Sequence, residues 1–417
     1  MLIQFSIKNF KTFKDRATLN LLATNHDKTR EIENVSSSNN YNLRVLKSAV
    51  VFGANASGKS KFIEALMFMK HFVINSFSNG QKGDKIFVDP FRLNTESENE
   101  PCEFEVIFIY ESILFRYGFE ANKKQIIAEW LYYKPKIKEV ELFYRSLQNV
   151  EMHSRSFKNG VITVTNQLIR ENALLISLAS QINEDFATKV ILWFKSLSVI
   201  SGVQEHEYLE NSTEKINTSF GKSKILTLLN SADLEIEDII NKKNRFNELD
   251  NSDILVKKFK FSNKLKFEQV EFNLNIDESE GTKKYFYLIG LIVDSLDNGS
   301  CLFIDELDSK LHPNLVCKII SLFNSKKLNP KNAQLIFNTH DSNLLSSGLF
   351  RKDQVWFTEK NKYGEAKLYS LADFNSGEVR KKESFEENYL RGKYGAIPYL
   401  GFFDDLVESN LLQNDEI

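Results

Sequence analysis

The chain has 417 residues, 42% apolar and 26% charged, ordinary values for a globular protein long enough for two or three domains. Lys+Arg is 54 against Asp+Glu at 56, a formal net charge of -2, which argues against a chain coated in basic surface for general nucleic-acid binding. Cys102, Cys301 and Cys317 are scattered, with no CxxC pair. That argues against a disulfide framework or a zinc site and fits a reducing compartment. Each sits in apolar sequence and reads as a buried small hydrophobe.

Residues 1–24 alternate apolar and polar, the period of a strand or hairpin. They lack the continuous apolar stretch of a signal peptide. No run reaches the roughly 18 apolar residues of a membrane span, so a soluble, cytoplasmic protein is expected. Residues 25–43 are polar and turn-rich, a predicted loop. Residues 46–52 (LKSAVVF) form a short apolar run that reads as a buried strand. It leads into GANASGKS and then a helical pattern, KFIEALMFMKHFVINSF. Residues 101–145 read as a β-meander, and 168–240 as mostly helical. The polar stretch 241–263 reads as a loop or edge. Strand character returns at 264–276, followed by a helix at 283–296, a buried strand at 300–304 and a helix near 313–326. A strand at 333–338 and strands near 354–370 follow. There are no repeats and no sustained heptads.

Four motifs carry chemistry. Gly53-Ala54-Asn55-Ala56-Ser57-Gly58-Lys59-Ser60 is a full GxxxxGK[ST] between strand and helix. Its glycines let backbone amides curl around an anion, and the helix N-terminus points its positive end there. Lys59 would reach the β- and γ-phosphates, and Ser60 would hold Mg²⁺. In Cys301-Leu302-Phe303-Ile304-Asp305-Glu306, an apolar strand delivers two acids at its C-terminal end, where ligands bind in open α/β sheets. Asp305 would orient Mg²⁺ and Glu306 would polarise an attacking water. Thr339-His340-Asp341 follows a third strand, placing His340 where it could hydrogen-bond the γ-phosphate, although a lone histidine is more often a surface or core residue. Finally, Ser279-Glu280-Gly281-Thr282-Lys283-Lys284 opens a helix 22 residues before Cys301. Hydroxyl, glycine amide and helix N-terminus make a second anion site. One nucleotide has little use for two such loops from one chain, but two chains packed head to tail could each lend this turn to the other's ATP. Taken alone, the turn reads as an ordinary helix cap.

This order of motifs resembles the ABC ATPase superfamily, and more narrowly its soluble SMC/OLD-like branch, where a large insertion follows the phosphate loop. Here Asp305 lies 246 positions after Lys59. The opening IQFSIKNFKTFKD, the stretch DELDSKLHP (305–313) and the ending FEENYLRGKYGAIP (385–398) are typical of that branch. The ending is similar to those of the ATPases of bacterial abortive-infection systems, the RloA, AbiL and PARIS ATPases, which are typically encoded beside a separate effector. The resemblance implies that Ser279 and Gly281 act in trans, that Asp308 is the D-loop aspartate and that His340 is the switch histidine. The turn departs from the transporter signature LSGGQ. Glu280 puts an acid close to the expected phosphate oxygens, with Lys283 and Lys284 available to offset it. Between the first helix and the meander the one glutamine is Gln81, in a turn-like NGQKGD, so the lid contact to Mg²⁺ stays unassigned.

The expected fold is α/β: an ABC-type P-loop ATPase head with a mixed sheet and an inserted β-meander plus helical subdomain. Residues 1–100 would form the lobe with the phosphate loop, 101–264 the insertion, and 265–417 the lobe with the remaining motifs. The resemblance implies an ATPase using ATP and Mg²⁺, acting as a homodimer or higher homo-oligomer and as the sensor subunit of an anti-phage system controlling a separate effector. The alternative is an SMC-like ATPase that clamps DNA in repair or chromosome maintenance; a third is a scaffold for which hydrolysis is incidental. The 77 residues after His340 are too few for closing strands plus a nuclease domain, and Asp404-Asp405 is not the DxD such a domain needs. The cluster Lys257-Lys258-Phe259-Lys260 is a candidate nucleic-acid contact, against the plainer reading of a solvated edge strand. Trp130-Leu131-Tyr132-Tyr133 reads as core before partner docking.

Overall fold

The computed structural model describes residues 1–38, 40–200, 208–242, 253–374 and 384–398; the Asp404-Asp405 pair lies outside them. Strands β1 (Leu2–Lys8) and β2 (Ala17–Asn20) open the chain. Helix α1 (Glu31–Asn34), strands β3 (Val35–Ser38), β4 (Leu43–Leu46) and β5 (Ser48–Gly53), and helix α2 (Lys59–Asn75) follow. The meander β6 (Cys102–Tyr110), β7 (Ile113–Ala121), β8 (Ile126–Lys134), β9 (Val140–Ser146) and β10 (Asn149–Met152) leads to α3 (Lys158–Thr165), α4 (Leu175–Gln181) and α5 (Asp185–Ser196). Next come β11 (Ser198–Ile200), α6 (Leu209–Ile216), α7 (Ser219–Ser231), β12 (Asp238–Lys242), β13 (Asp253–Ser262), β14 (Leu265–Asn273), α8 (Leu274–Asp277) and α9 (Glu280–Asn298). The chain continues through β15 (Cys301–Ile304), α10 (Pro313–Asn324), β16 (Gln334–Asn338), β17 (Val355–Lys360), β18 (Ala366–Ser370) and α11 (Phe385–Leu390).

The architecture is mixed α/β, a P-loop ATPase fold. Two large sheets enclose α2. One is a seven-stranded antiparallel sheet in the order β10-β9-β8-β7-β6-β1-β2; the other is six-stranded, in the order β11-β15-β16-β5-β17-β18. In the second, β11, β15, β16, β5 and β17 run parallel. Parallel strands covered on both faces must be apolar throughout, and β5, β15 and β16 are buried at every residue. Alternate side chains then feed two cores. Ala49 and Val51 of β5, with Phe303 and Ile336, pack beside Phe62, Leu66 and Met69 of α2 and Phe5 of β1. Val50 and Phe52, with Leu302, Ile304, Leu335 and Phe337, pack on the other face beside α9 and α10.

Several local features depart from the sequence expectations. Strand β6 pairs with β1 from Leu2↔Phe108 to Lys8↔Glu103, so one sheet runs across residue 100. Residues 253–262, expected as a loop or edge, form β13 and pair with β12 on one side and β14 on the other, so residue 264 lies in a hairpin turn. The helical stretch contains β11, the edge strand of the six-stranded sheet. The predicted loop at 25–43 also holds the β3–β4 hairpin. Trp130 and Leu131 are buried, as are Cys102 and Cys301, while Cys317 is only half-buried. Among the described residues, no helix is long and apolar enough to cross a membrane.

Candidate functional site

The site lies at the C-terminal ends of β5, β15 and β16. Strand β16 sits between the phosphate-loop strand and the acidic strand. At the end of β5 the chain must turn tightly against β17. Gly53 has φ +156°, and a Cβ there would lie 2.6 Å from both Ser57 Oγ and Thr358 Oγ1. Gly58 has φ +117°, with Phe13 and Thr12 of the β1–β2 turn at 3.1 and 3.2 Å from a built Cβ. Both positions need a residue without a side chain. The hydroxyls of Ser57 and Thr358 share a 2.6 Å hydrogen bond that ties the loop to β17. Asn55 and Ala56 are exposed at the loop's crest, and Ala56 adopts a left-handed φ of 58°.

Helix α2 begins at Lys59 with Gly58 as its N-cap, and no side chain caps its first turn. That leaves an uncancelled positive helix end, with half-buried Ser60 in the first turn. Lys59 is 5% exposed. Its Nζ donates to Gly53 O (2.7 Å) and Ala54 O (3.0 Å), and among the described residues it forms no ion pair. Burial pulls its pKa down to about 8, opposed by the charges of Asp305, Glu306 and Asp308.

The acids come from the end of β15. Asp305 is 8% exposed, and Asn338 Nδ2 at the end of β16 donates to its Oδ1. Asn338 Oδ1 in turn accepts from Glu306 N at 2.6 Å. Asn338 is fully buried, and nothing in the sequence singled it out, because an asparagine at a strand end has no local signature. Glu306 adopts a left-handed φ of 53°, which turns its carboxylate outward to 41% exposure. There it faces His340, with Glu306 Oε1 3.9 Å from Nε2. Asp308 Oδ2 accepts from His340 N at 3.2 Å, while its buried Oδ1 has no hydrogen-bond partner.

Lys59, Asp305, Glu306, Asp308 and His340 therefore converge, and Ser60 sits one residue along the helix that carries Lys59. The Ser279–Gly281 turn does not join them within this chain. Among the described residues, no hydrogen bond or ion pair links that turn to the phosphate loop. Ser279 is exposed and caps α9, its Oγ accepting from Thr282 N at 3.2 Å. Gly281 packs instead against the loop after Glu306: a Cβ would lie 2.7 Å from Lys310 O. Glu280 is paired with Lys283 at 2.9 Å and Lys310 at 3.4 Å. Lys284, expected to offset Glu280, is 2% exposed and points inward, its Nζ donating to Glu306 O at 2.9 Å.

The residues present fit a nucleoside triphosphate with a hard divalent cation. A buried cation without an acidic partner and an uncapped helix end await anionic oxygens. Half-buried Ser60 and the carboxylate of Asp305 are oxygen donors suited to Mg²⁺. The basic cluster fits nucleic acid less well. Lys257 pairs with Glu271 (3.8 Å), Lys258 with Glu278 (2.7 Å) and Lys260 with Glu268 (2.9 Å) across the β13–β14 hairpin and its flank.

No curated protein matches the chain. Among solved structures, the SMC head domain from Thermotoga maritima is similar at 15% identity and a TM-score of 0.41, covering 88% of this chain and 98% of that one. Residues 48–346, well over half of the chain, match the family described as "AAA domain, putative AbiEii toxin, Type IV TA system", and the chain belongs to that family of P-loop ATPases.

Proposed function

We propose that the protein binds and hydrolyses ATP at this site and uses the nucleotide to control a separately encoded effector in an anti-phage or toxin–antitoxin setting. The observation that carries the ATPase reading is Lys59: a buried lysine without an acidic partner, at an uncapped helix N-terminus, in the electrostatic field of Asp305, Glu306 and Asp308. Lys59 meets the β- and γ-phosphates. Amides of the loop from Gly53 through Asn55, Ser57 and Gly58 surround the phosphate oxygens. Ser60 and Asp305 hold Mg²⁺, which when bound neutralises phosphate charge. Glu306 orients the attacking water, and His340 stands where a γ-phosphate would meet it.

Each site is completed by a second copy. Ser279 and Gly281, which among the described residues make no hydrogen bond to the phosphate loop of their own chain, present a hydroxyl and a helix N-terminus to the partner's nucleotide, and Asp308 lies at the junction. Nucleotide state then becomes assembly state, because the γ-phosphate is the group whose loss separates the two forms. The setting rests on the family's description and on the resemblance of the chain's ending to abortive-infection ATPases. A cytoplasmic location follows from that setting. A direct DNA clamp would need an unpaired basic surface, and the Lys257–Lys260 lysines are ion-paired.

The test has two levels. With the neighbouring gene, the wild type should reduce phage plating, and Lys59→Ala should abolish that reduction. Unchanged plating across a broad phage panel would contradict the defence setting. ATP binding that survives Lys59→Ala would contradict the site itself.

A further inference from the structure

Glu306 is held in an unusual way. Its φ of 53° is left-handed, a conformation that costs an ordinary residue free energy and persists only where the surroundings enforce it. Both polar atoms of its backbone are taken by buried side chains from different elements. Its N–H donates to Asn338 Oδ1 at 2.6 Å, and its carbonyl accepts from Lys284 Nζ at 2.9 Å and, more weakly, from Ser309 N at 3.2 Å. Asn338 is 0% exposed and Lys284 is 2% exposed. Burying a lysine ammonium is costly, and a purely structural position in α9 would be better filled by an apolar residue. The side chains that follow it on that helix are aromatic or aliphatic by contrast: Tyr285, Phe286, Leu288 and Ile289 all lie in the core.

We infer that Lys284 and Asn338 are positioning residues that clamp the Glu306 peptide in its left-handed turn and so aim its carboxylate at the attacking water. The inference rests on the reading of Glu306 as the group that orients that water. Asn338 does double duty, because its amide also holds Asp305. Lys284 reaches Glu306 from α9, the helix whose first turn carries Ser279 and Gly281. Five residues beyond Ser279, Lys284 makes the aim of the chain's own Glu306 depend on the seating of the turn that the second copy would use.

The experiment is a double-mutant cycle on ATP hydrolysis, with ATP binding measured separately by titration. Lys284→Met removes the donor while keeping a long, flexible side chain. Misplacing a reacting group by about an ångström costs on the order of a hundredfold, so kcat should fall by roughly ten- to a hundredfold with the ATP Kd unchanged. Lys284→Arg, which retains donors, should recover most of the rate. The decisive arm combines Lys284→Met with Glu306→Gln. If Lys284 acts through Glu306, the double variant hydrolyses no more slowly than Glu306→Gln alone. Multiplying losses, or a weaker Kd with kcat unchanged, would overturn the inference and leave Lys284 a packing residue. Should Lys284→Met fold poorly, Lys284→Gln, whose shorter side chain falls short of the Glu306 carbonyl, must show the same non-additivity with Glu306→Gln. The underlying reading fails separately, by Glu306→Gln hydrolysing ATP at the wild-type rate. A slow Glu306→Gln beside an unaffected Lys284→Met would sink the clamp alone.

Discussion

Buried charge is handled in opposite ways at the two sheets. In the seven-stranded sheet, Glu129 and Arg145 are both fully buried, 3.6 Å apart, and every polar need is met within the protein. Arg145 donates to the carbonyls of Leu147, Ala173 and Arg170. Glu129 accepts from Leu175 N, Ile176 N and Tyr117 OH. Burial pushes the Glu129 carboxyl up, and Arg145 beside it pulls back down. At the end of the six-stranded sheet, Lys59 finds only two carbonyls of its own loop, and Asp308 leaves a buried oxygen without a partner. A satisfied buried charge fixes structure, here seating α4 on the meander. An under-satisfied one marks where a ligand completes the count.

That contrast can be broken by moving charge at each place. The largest effect belongs to Lys59→Ala, which removes charge-assisted hydrogen bonds worth about 1.5–3 kcal/mol each and should weaken ATP binding on the order of a thousandfold by titration calorimetry. Arg145→Met leaves Glu129 buried and uncompensated. It should cost about 3–5 kcal/mol of folding stability in denaturant melts while leaving the ATP Kd of the remaining folded protein unchanged. The two variants should therefore cross over, one losing ligand and the other losing stability. If Arg145→Met also loses ATP affinity, the division between the sheets is false.

Acidity sharpens the same point. Lys59 has a folded pKa of about 8 against a reference of 10.5, so its protonated form prefers the unfolded chain. Without ligand, its destabilisation is fully present below about pH 8 and fades as pH rises toward 10.5. Lys59→Met should accordingly raise the melting temperature of the nucleotide-free protein at pH 7. ATP affinity runs the other way, because phosphate needs the charged form: it should be about tenfold weaker at pH 9 than at pH 7, with Lys59→Met abolishing that slope. The smallest effect is expected on the β13–β14 hairpin, where Lys260→Ala should shift stability by less than about 0.5 kcal/mol, since the pair is exposed.

The sequence made some of this plain and left other parts hidden. GANASGKS was legible because strand, glycine loop and helix are contiguous, so their geometry follows from local pattern. The Asp305-Glu306 pair was legible because a buried strand ends where the acids begin. The pairing of β1 with β6 was not, because register between segments a hundred residues apart leaves no local trace. Strand β13 was legible only as a possible solvated edge; its place in the middle of a three-stranded sheet, with Lys257, Lys258 and Lys260 paired to glutamates, was not. In sequence, Lys284 belongs to the polar turn Ser279–Lys284 and looks placed to offset Glu280. The helix begins at Glu280, earlier than its apolar periodicity suggested, and one further turn carries Lys284 inward.

The central claim is that ATP binds at Lys59 and joins two copies of the chain. The most direct measurement is the mass of Glu306→Gln by sedimentation, with and without ATP and Mg²⁺. The account predicts a nucleotide-dependent dimer that the added substitution Lys59→Ala abolishes. A mass that ignores ATP, or a dimer that survives Lys59→Ala, would contradict it.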